Sequence, residues 1–298
     1  MKIYKKVLIL GATGMLGHKL CQGFAEKEHF QVSATTRSPL NSELTKCFPK
    51  NITFIPNCNA MHPESIFSVI QSTSPDFVIN CIGIVKQSPE SKNYSTSIAI
   101  NSLFPHILAQ KCAENNVKLI HISTDCVFSG TFGHPYIETM NSDAEDLYGK
   151  SKFLGEVIDQ KNALTIRTSI IGREITHPTG LLEWFLSQKG KNIKGFSRAL
   201  FSGLTTNLAV NVLEHVIMKT PELSGLYHVS TAGISKFDLL QIINEVYRTN
   251  IHIQKDEDFC CDRRLNGERF EKATGWKAPS WNDLVKEMHQ QDLLYYKV

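Results

Sequence analysis

The chain has 298 residues, long enough for a large core and about two domains. Its 42% hydrophobic and 20% charged residues exclude extended disorder, and a formal net charge of +3 is too small to mark nucleic acid or an anionic membrane surface as a partner. Eight cysteines (21, 47, 58, 81, 112, 126, 260 and 261) contain no Cys-x-x-Cys, and eleven histidines contain no His-Glu-x-x-His or His/Cys cluster. That pattern predicts no structural metal and free thiols in a reduced, cytoplasmic setting.

Met1–Leu10 (MKIYKKVLIL) puts lysines before an apolar run, as a signal peptide does, but regularly spaced glycines follow in place of a small-residue cleavage site. The run therefore reads as a first strand, Lys6–Leu10. Further strands are expected at Gln31–Thr35, Thr53–Ile55, Phe77–Cys81, Lys118–Ser123 and Ala163–Arg167, with helices near Met15–Glu26, Pro63–Ser72, Ile98–Asn115 and Tyr148–Gln160. Runs such as Val-Leu-Ile-Leu are apolar throughout, as in strands covered on both faces, and the alternation predicts a doubly wound parallel sheet. After Arg167 the rhythm changes. Ser169–Gly203 reads as a cap or loop region, Leu226–Val229 as one strand returning to the sheet, and the chain from Ser235 onward as amphipathic helices, with Trp276 and Trp281 in their core. No stretch has the ~20 apolar residues of a membrane span.

Gly11-Ala-Thr13-Gly14-Met15-Leu16-Gly17 follows the first strand and opens the first helix. The first glycine permits a tight turn, the second lets the backbone approach a pyrophosphate, and the third packs helix on strand. The helix N-terminus then offers free N–H groups and partial positive charge to phosphates. This is a Rossmann dinucleotide turn. Residues 1–168 with about 204–230 are expected to form the dinucleotide-binding domain, and about 169–203 with 231–298 a smaller C-terminal substrate lobe. The second strand ends in Thr35-Thr36-Arg37-Ser38. An NAD site places a carboxylate there. Arg37 and Ser38 instead suit a 2′-phosphate, so NADPH is the expected cofactor and NADH the alternative.

Tyr148 and Lys152 lie four apart in a helical stretch, so phenol and ammonium share one face. A phenol of pKa about 10 needs a neighbouring cation to exchange protons at neutral pH. Ser123-Thr124-Asp125 ends an apolar strand, where a hydroxyl faces the cleft and can hydrogen-bond a substrate carbonyl. Asp125 can orient a sugar or tune the tyrosine.

With GATGMLG at 11–17, Ser123-Thr-Asp-Cys-Val-Phe-Ser-Gly130, Tyr148-Gly-Lys-Ser-Lys152, Gly155-Glu156, Arg167-Thr-Ser169, Gly225-Leu-Tyr-His228 and Arg264-Leu-Asn266, the chain resembles the extended short-chain dehydrogenase/reductases, closest to the dTDP-4-dehydrorhamnose reductase group. The resemblance implies that Thr124, Tyr148 and Lys152 are the catalytic triad and that Asp125 contacts substrate. It implies hydride transfer to C4 of a 4-keto-6-deoxyhexose on a nucleoside diphosphate, in deoxysugar and polysaccharide precursor synthesis; the oligomer stays open, with a homodimer among the options. Cofactor contacts would extend to Thr13, Met15, Leu16, Asn57, Cys81, Ile82, Gly83 and Asn101, and a substrate contact to Arg264; Lys86, in a segment that departs from the family, is instead expected to recognise an N-acetyl or other substituent of the substrate. Two departures lie near the sugar: Ile170-Ile171 replace an aromatic pair, and Cys81–Gln87 replace an Ala-rich, His-containing segment. Other readings on the same fold are an epimerase or dehydratase that retains NAD and a non-catalytic NADP-binding regulatory subunit.

Overall fold

The structure is a computed structural model that describes residues 4–176 and 178–296. The first half runs β1 (Lys5–Leu10), α1 (Met15–Ala25), β2 (Phe30–Thr35), α2 (Ser42–Lys46), β3 (Thr53–Ile55), α3 (Glu64–Thr73), β4 (Phe77–Asn80), α4 (Tyr94–Ser97), α5 (Phe104–Glu114), β5 (Lys118–Ile122), α6 (Leu147–Leu154) and β6 (Ala163–Arg167). The second half runs β7 (Ile170–Ile171), α7 (Leu181–Leu186), β8 (Asn192–Phe201), β9 (Leu204–Thr205), α8 (Thr206–Lys219), β10 (Gly225–His228), β11 (Ile234–Ser235), α9 (Lys236–Tyr247), β12 (His252–Asp262), α10 (Glu268–Thr274) and α11 (Trp281–Tyr295).

Seven strands form one all-parallel sheet in the order β10-β6-β5-β4-β1-β2-β3. The apolar run Lys5–Leu10 is an interior strand, paired on one side with β4 and on the other with β2. Side chains of β1 alternate between two cores. Val7 and Ile9 join α1 and α8 on one face, while Leu8 and Leu10 join α3 and α5 on the other. That period of two turns an unbroken apolar strand into the middle layer of a three-layer sandwich. Strand order reverses between β1 and β4, so a crevice opens there at the carboxyl ends of the strands.

The helical stretch expected over Ile98–Asn115 is two pieces, a π-helical turn at Ile98–Leu103 followed by α5. The helix expected to reach Gln160 ends at Leu154, because Gly155 lies against the π turn: a Cβ there would stand 1.9 Å from the Asn101 carbonyl oxygen. The larger correction lies in the second lobe. The segments read as a loop region and as helices contain two long strands, β8 and β12, which pair in parallel, while β11 pairs antiparallel to β8. The sequence hides β12 because His-Ile-Gln-Lys-Asp-Glu-Asp carries residues that isolated strands disfavour; pairing with β8 overrides that preference. The helices on either side of β12 in the chain are plainly signalled. Ser235 and Ser280 cap α9 and α11 by accepting from the N–H groups of Asp238 and Asp283. One apolar cluster runs from Val7 through α8 and α9 to Met288, so the lobes share a core. Among the described residues no helix is long and apolar enough to cross a membrane.

Candidate active site

The glycine turn has the shape its spacing predicts. Gly11 adopts a positive φ of 83°, and a Cβ on Gly17 would lie 2.1 Å from the Gly11 carbonyl oxygen. Gly14 stands at the N-cap of α1 with no side chain to occupy the first N–H groups, which belong to Met15, Leu16 and Gly17. Thr13 is held from above: its carbonyl accepts the Thr176 hydroxyl at 3.1 Å. Across the switch point, the segment after β4 closes on the same turn, with Ile82 Cγ1 3.2 Å from where a Gly11 Cβ would be. Gly83 faces both Asn101 Oδ1 (3.3 Å) and Lys152 Nζ (3.9 Å), measured from its own missing Cβ. Cys81 leaves the sheet by donating its N–H to the Leu10 carbonyl at 3.1 Å.

Asn101, in the buried π turn, works like a strand neighbour. Its Oδ1 accepts from the Ile84 N–H (2.8 Å), and its Nδ2 donates to the Ile84 carbonyl (3.0 Å) and to Ser151 Oγ (3.1 Å). It thereby locks the Cys81–Ile84 segment against α6. A π turn at such a position is a recurrent mark of functional sites. Beyond β2, Arg37 and Ser38 are exposed, and Arg37 has no ion-pair partner among the described residues. Asn57 is exposed at a positive φ of 64° on the loop after β3.

Helix α6 starts from Asp146, whose carboxylate accepts the Gly149 N–H at 2.8 Å. Gly149 lets this helix press on the loop that follows β5, where a Cβ would meet the Cys126 carbonyl oxygen at 2.2 Å. That contact sets Tyr148 beside Thr124. Burial holds the Tyr148 phenol well above its ordinary range, Cys126 adds to the rise, and the neighbouring Thr124 hydroxyl pulls the other way. The phenol therefore stays protonated at neutral pH. Lys152 is buried, donates to the Ile122 carbonyl at 2.7 Å, and has its pKa lowered to about 8 by burial, with Glu156 opposing the drop. Thr124 donates to Asp125 Oδ1 (3.2 Å) and accepts from the Cys126 N–H (3.1 Å). Burial raises the Asp125 carboxyl, and Arg263 is the largest influence in the opposite direction.

The two cations assigned to substrate from sequence are both paired. Lys86 meets Asp146 at 2.7 Å on the exposed rim. Arg264 grips Asp262 with two bonds, Nε to Oδ1 at 2.8 Å and Nη2 to Oδ2 at 2.7 Å. Sequence reasoning missed two features. One is the setting of Arg263, which the sequence offers beside the preferred Arg264: it donates to the Phe128 carbonyl at 2.8 Å and to Cys126 Sγ at 3.6 Å. The other is a buried network beneath the pair: Glu156 holds Arg167 by two bonds of 2.7 and 2.6 Å and accepts the Ser123 hydroxyl at 2.7 Å. Gly155-Glu156 and Arg167 stand out in the sequence as motifs, but nothing in their spacing says that they meet.

Strand order, glycine turn and the tyrosine–lysine pair at the carboxyl edge define a Rossmann-type α/β protein. Over residues 5–293 the chain matches the family described as RmlD substrate binding domain, and it belongs to that family. It is 28% identical over 235 residues to the spore coat polysaccharide biosynthesis protein SpsK of Bacillus subtilis (strain 168), covering 77% of this chain and 74% of that protein. It is 25% identical over 232 residues to the dTDP-4-dehydrorhamnose reductase of Aggregatibacter actinomycetemcomitans, covering 75% and 72%. Among solved structures, the dTDP-4-dehydrorhamnose reductase of Bacillus anthracis str. Ames in complex with NADP superposes with a TM-score of 0.75 at 20% identity, covering 96% of this chain and 99% of that one.

Proposed function

We propose that this protein is an NADPH-dependent reductase of the short-chain dehydrogenase/reductase class, reducing the 4-keto group of a nucleoside-diphosphate 4-keto-6-deoxyhexose for polysaccharide precursor synthesis. The observation that carries the reading is a phenol and a buried ammonium on successive turns of α6, beside a threonine hydroxyl and at the carboxyl end of β5, with the ammonium near Gly83 of the segment that closes on the glycine turn. The cradle fits a dinucleotide: Gly14 leaves the first N–H groups of α1 without a capping side chain, and Gly17 has no room for any side chain. Gly11, Thr13, Gly14, Met15, Leu16 and Gly17 would hold the pyrophosphate, Arg37 and Ser38 the 2′-phosphate, Asn57 the adenosine side, and Cys81, Ile82, Gly83 and Asn101 the nicotinamide side. Bound NADPH supplies the hydride.

The chain's own residues do the rest. Thr124 and Tyr148 hydrogen-bond the carbonyl oxygen and orient it. As that oxygen gains charge, Tyr148 Oη gives up its proton to it, leaving a phenolate beside the Lys152 ammonium. Lys152, fixed by the Ile122 carbonyl, lowers the cost of that phenolate and can also hold the nicotinamide ribose. Asp125 and the rim cation Lys86 contact the sugar. In this reading residues 1–168 with about 204–230 bind the dinucleotide, about 169–203 with 231–298 form the substrate lobe, and the protein acts in the cytoplasm as a homodimer. The test is NADPH oxidation against a panel of 4-keto sugar nucleotides. Stoichiometric release of NADP+ with one substrate is expected. Turnover with cofactor retained and reset each cycle would replace this reading with an epimerase, and binding of NADPH without turnover of any panel member would replace it with a regulatory subunit.

A further inference from the structure

We propose that Arg263, and not its neighbour Arg264, is the specificity-determining cation of the second lobe, and that it reads oxygen substituents of the sugar ring rather than the nucleotide. The inference deepens the sugar-nucleotide reading above and rests on it. A guanidinium carries five N–H donors in a fixed fork. Arg264 points its fork at Asp262, which accepts from both Nε and Nη2, and its stem packs against Gly233, so it serves the second lobe. Arg263 is placed differently. Its Nε is anchored on the Phe128 carbonyl and one Nη1 proton rests on Cys126 Sγ; among the described residues nothing takes the other three donors. The guanidinium is half-buried and its remaining N–H groups reach solvent, so a fork already held at one edge can offer three donors to a ligand that displaces water.

Its position supplies the rest. Cys126 and Phe128 follow directly on Thr124 and Asp125, so the anchor points of Arg263 belong to the catalytic loop. The segment carrying it is stitched to that loop by backbone bonds, Asp262 N–H to the Gly130 carbonyl and Asn266 N–H to the Tyr136 carbonyl, each 2.8 Å. Gly130, at a φ of 87°, gives the close approach, since a Cβ there would meet Cys261 Sγ at 2.6 Å and Arg263 Cγ at 3.0 Å. Asp125 lies near enough for Arg263 to oppose its rise in pKa, and Lys236 at the start of α9 acts on it in the same sense. A cation held beside Asp125, the carboxylate assigned to the sugar in the proposed reaction, is placed to meet the same ring. The diphosphate lies farther along the substrate.

Binding to the NADP+-loaded protein tests this without requiring turnover. Calorimetry would compare dTDP-rhamnose with dTDP on the wild type, Arg263→Met, Arg263→Lys and Arg264→Met. We expect the sugar to add affinity in the wild type, Arg263→Met to lose at least tenfold of it, and affinity for dTDP to change less than twofold. Arg263→Lys, which keeps the charge and most of the stem, should recover part of the loss while NADP+ binds as in the wild type. Three results overturn the proposal: dTDP and dTDP-rhamnose weakening together in Arg263→Met, the sugar increment disappearing in Arg264→Met instead, or no increment in the wild type. Because no catalysis is measured, an inactive but sugar-reading protein would sink the proposed reaction and leave Arg263 standing.

Discussion

At the scale of single residues the site depends on proton position. Tyr148 arrives protonated because burial opposes the phenolate, and Lys152 beside it is charged at neutral pH, since its lowered pKa of about 8 still lies above 7. Tyr148→Phe keeps the ring and removes the transferable proton. Turnover should fall about a thousandfold, within the range general acid catalysis supplies. NADPH affinity, read by fluorescence titration, should be unchanged; retained activity would mean another group donates the proton. In the proposed reading cofactor choice turns on Arg37, which is exposed and without an ion-pair partner among the described residues. Its replacement by Ala should raise the Michaelis constant for NADPH by roughly tenfold, the worth of one charge-assisted contact, and leave that for NADH alone. Equal rises for both cofactors would remove Arg37 from the 2′-phosphate site.

At the scale of elements, two glycines set how closely helices approach the site. Gly155 ends α6 where the π turn brings the Asn101 carbonyl against it, and no side chain fits in the 1.9 Å available. Gly155→Ala should therefore displace the π turn, with a loss of about 2–4 kcal/mol in chemical denaturation and a weaker hold on NADPH through Asn101. If stability drops while NADPH affinity does not, Asn101 has no part in shaping that side of the cleft. Glu156 and Arg167 tie the end of α6 to β6 in a pair almost wholly removed from water, with side chains 3% and 2% exposed. Cutting it from one side with Arg167→Met leaves a buried carboxylate without its partner, and should cost about 3–5 kcal/mol. The double variant Glu156→Gln with Arg167→Met should recover much of that, since no buried charge remains. A double variant no more stable than the single one would show that shape, rather than charge pairing, holds this junction.

At the scale of the whole molecule, pH stability follows from buried imidazoles. Burial lowers His18 to about 4 and His228 to about 3, and carries His121 well below its usual value. His228 is built neutral: its Nε2 faces Arg167 Nη1 at 3.3 Å, and its Nδ1 lies 3.1 Å from the Tyr136 carbonyl. In the unfolded chain each ring takes a proton near pH 6.5, while the folded protein refuses it until much lower pH. The stability these groups contribute is thus complete above about pH 6.5 and drains away as pH falls toward 4, at about 1.4 kcal/mol per unit for each. Asp292, pushed up to about 6 by burial, and Asp125, also raised by burial, work in the opposite direction over part of that range, while His289, lowered by burial, adds to the loss. Denaturation midpoints measured from pH 7 to pH 4.5 should fall steadily. A midpoint that stays level to pH 5 would mean the histidines are already charged in the fold.

The sequence by itself determined the parallel sheet, the glycine turn and the tyrosine–lysine pair, because each rests on local spacing: an unbroken apolar run, three glycines at a strand-to-helix junction, two side chains one helical turn apart. Tertiary structure alone decided the rest. The charged segment around Asp256 became a strand only because β8 lay beside it. The pairing of Glu156 with Arg167, and the difference between Arg263 and Arg264, depend on which distant backbone each side chain meets. Adjacent arginines look alike in a string of letters, and only the folded neighbours of each (Asp262 for one, the Phe128 carbonyl for the other) give them different work.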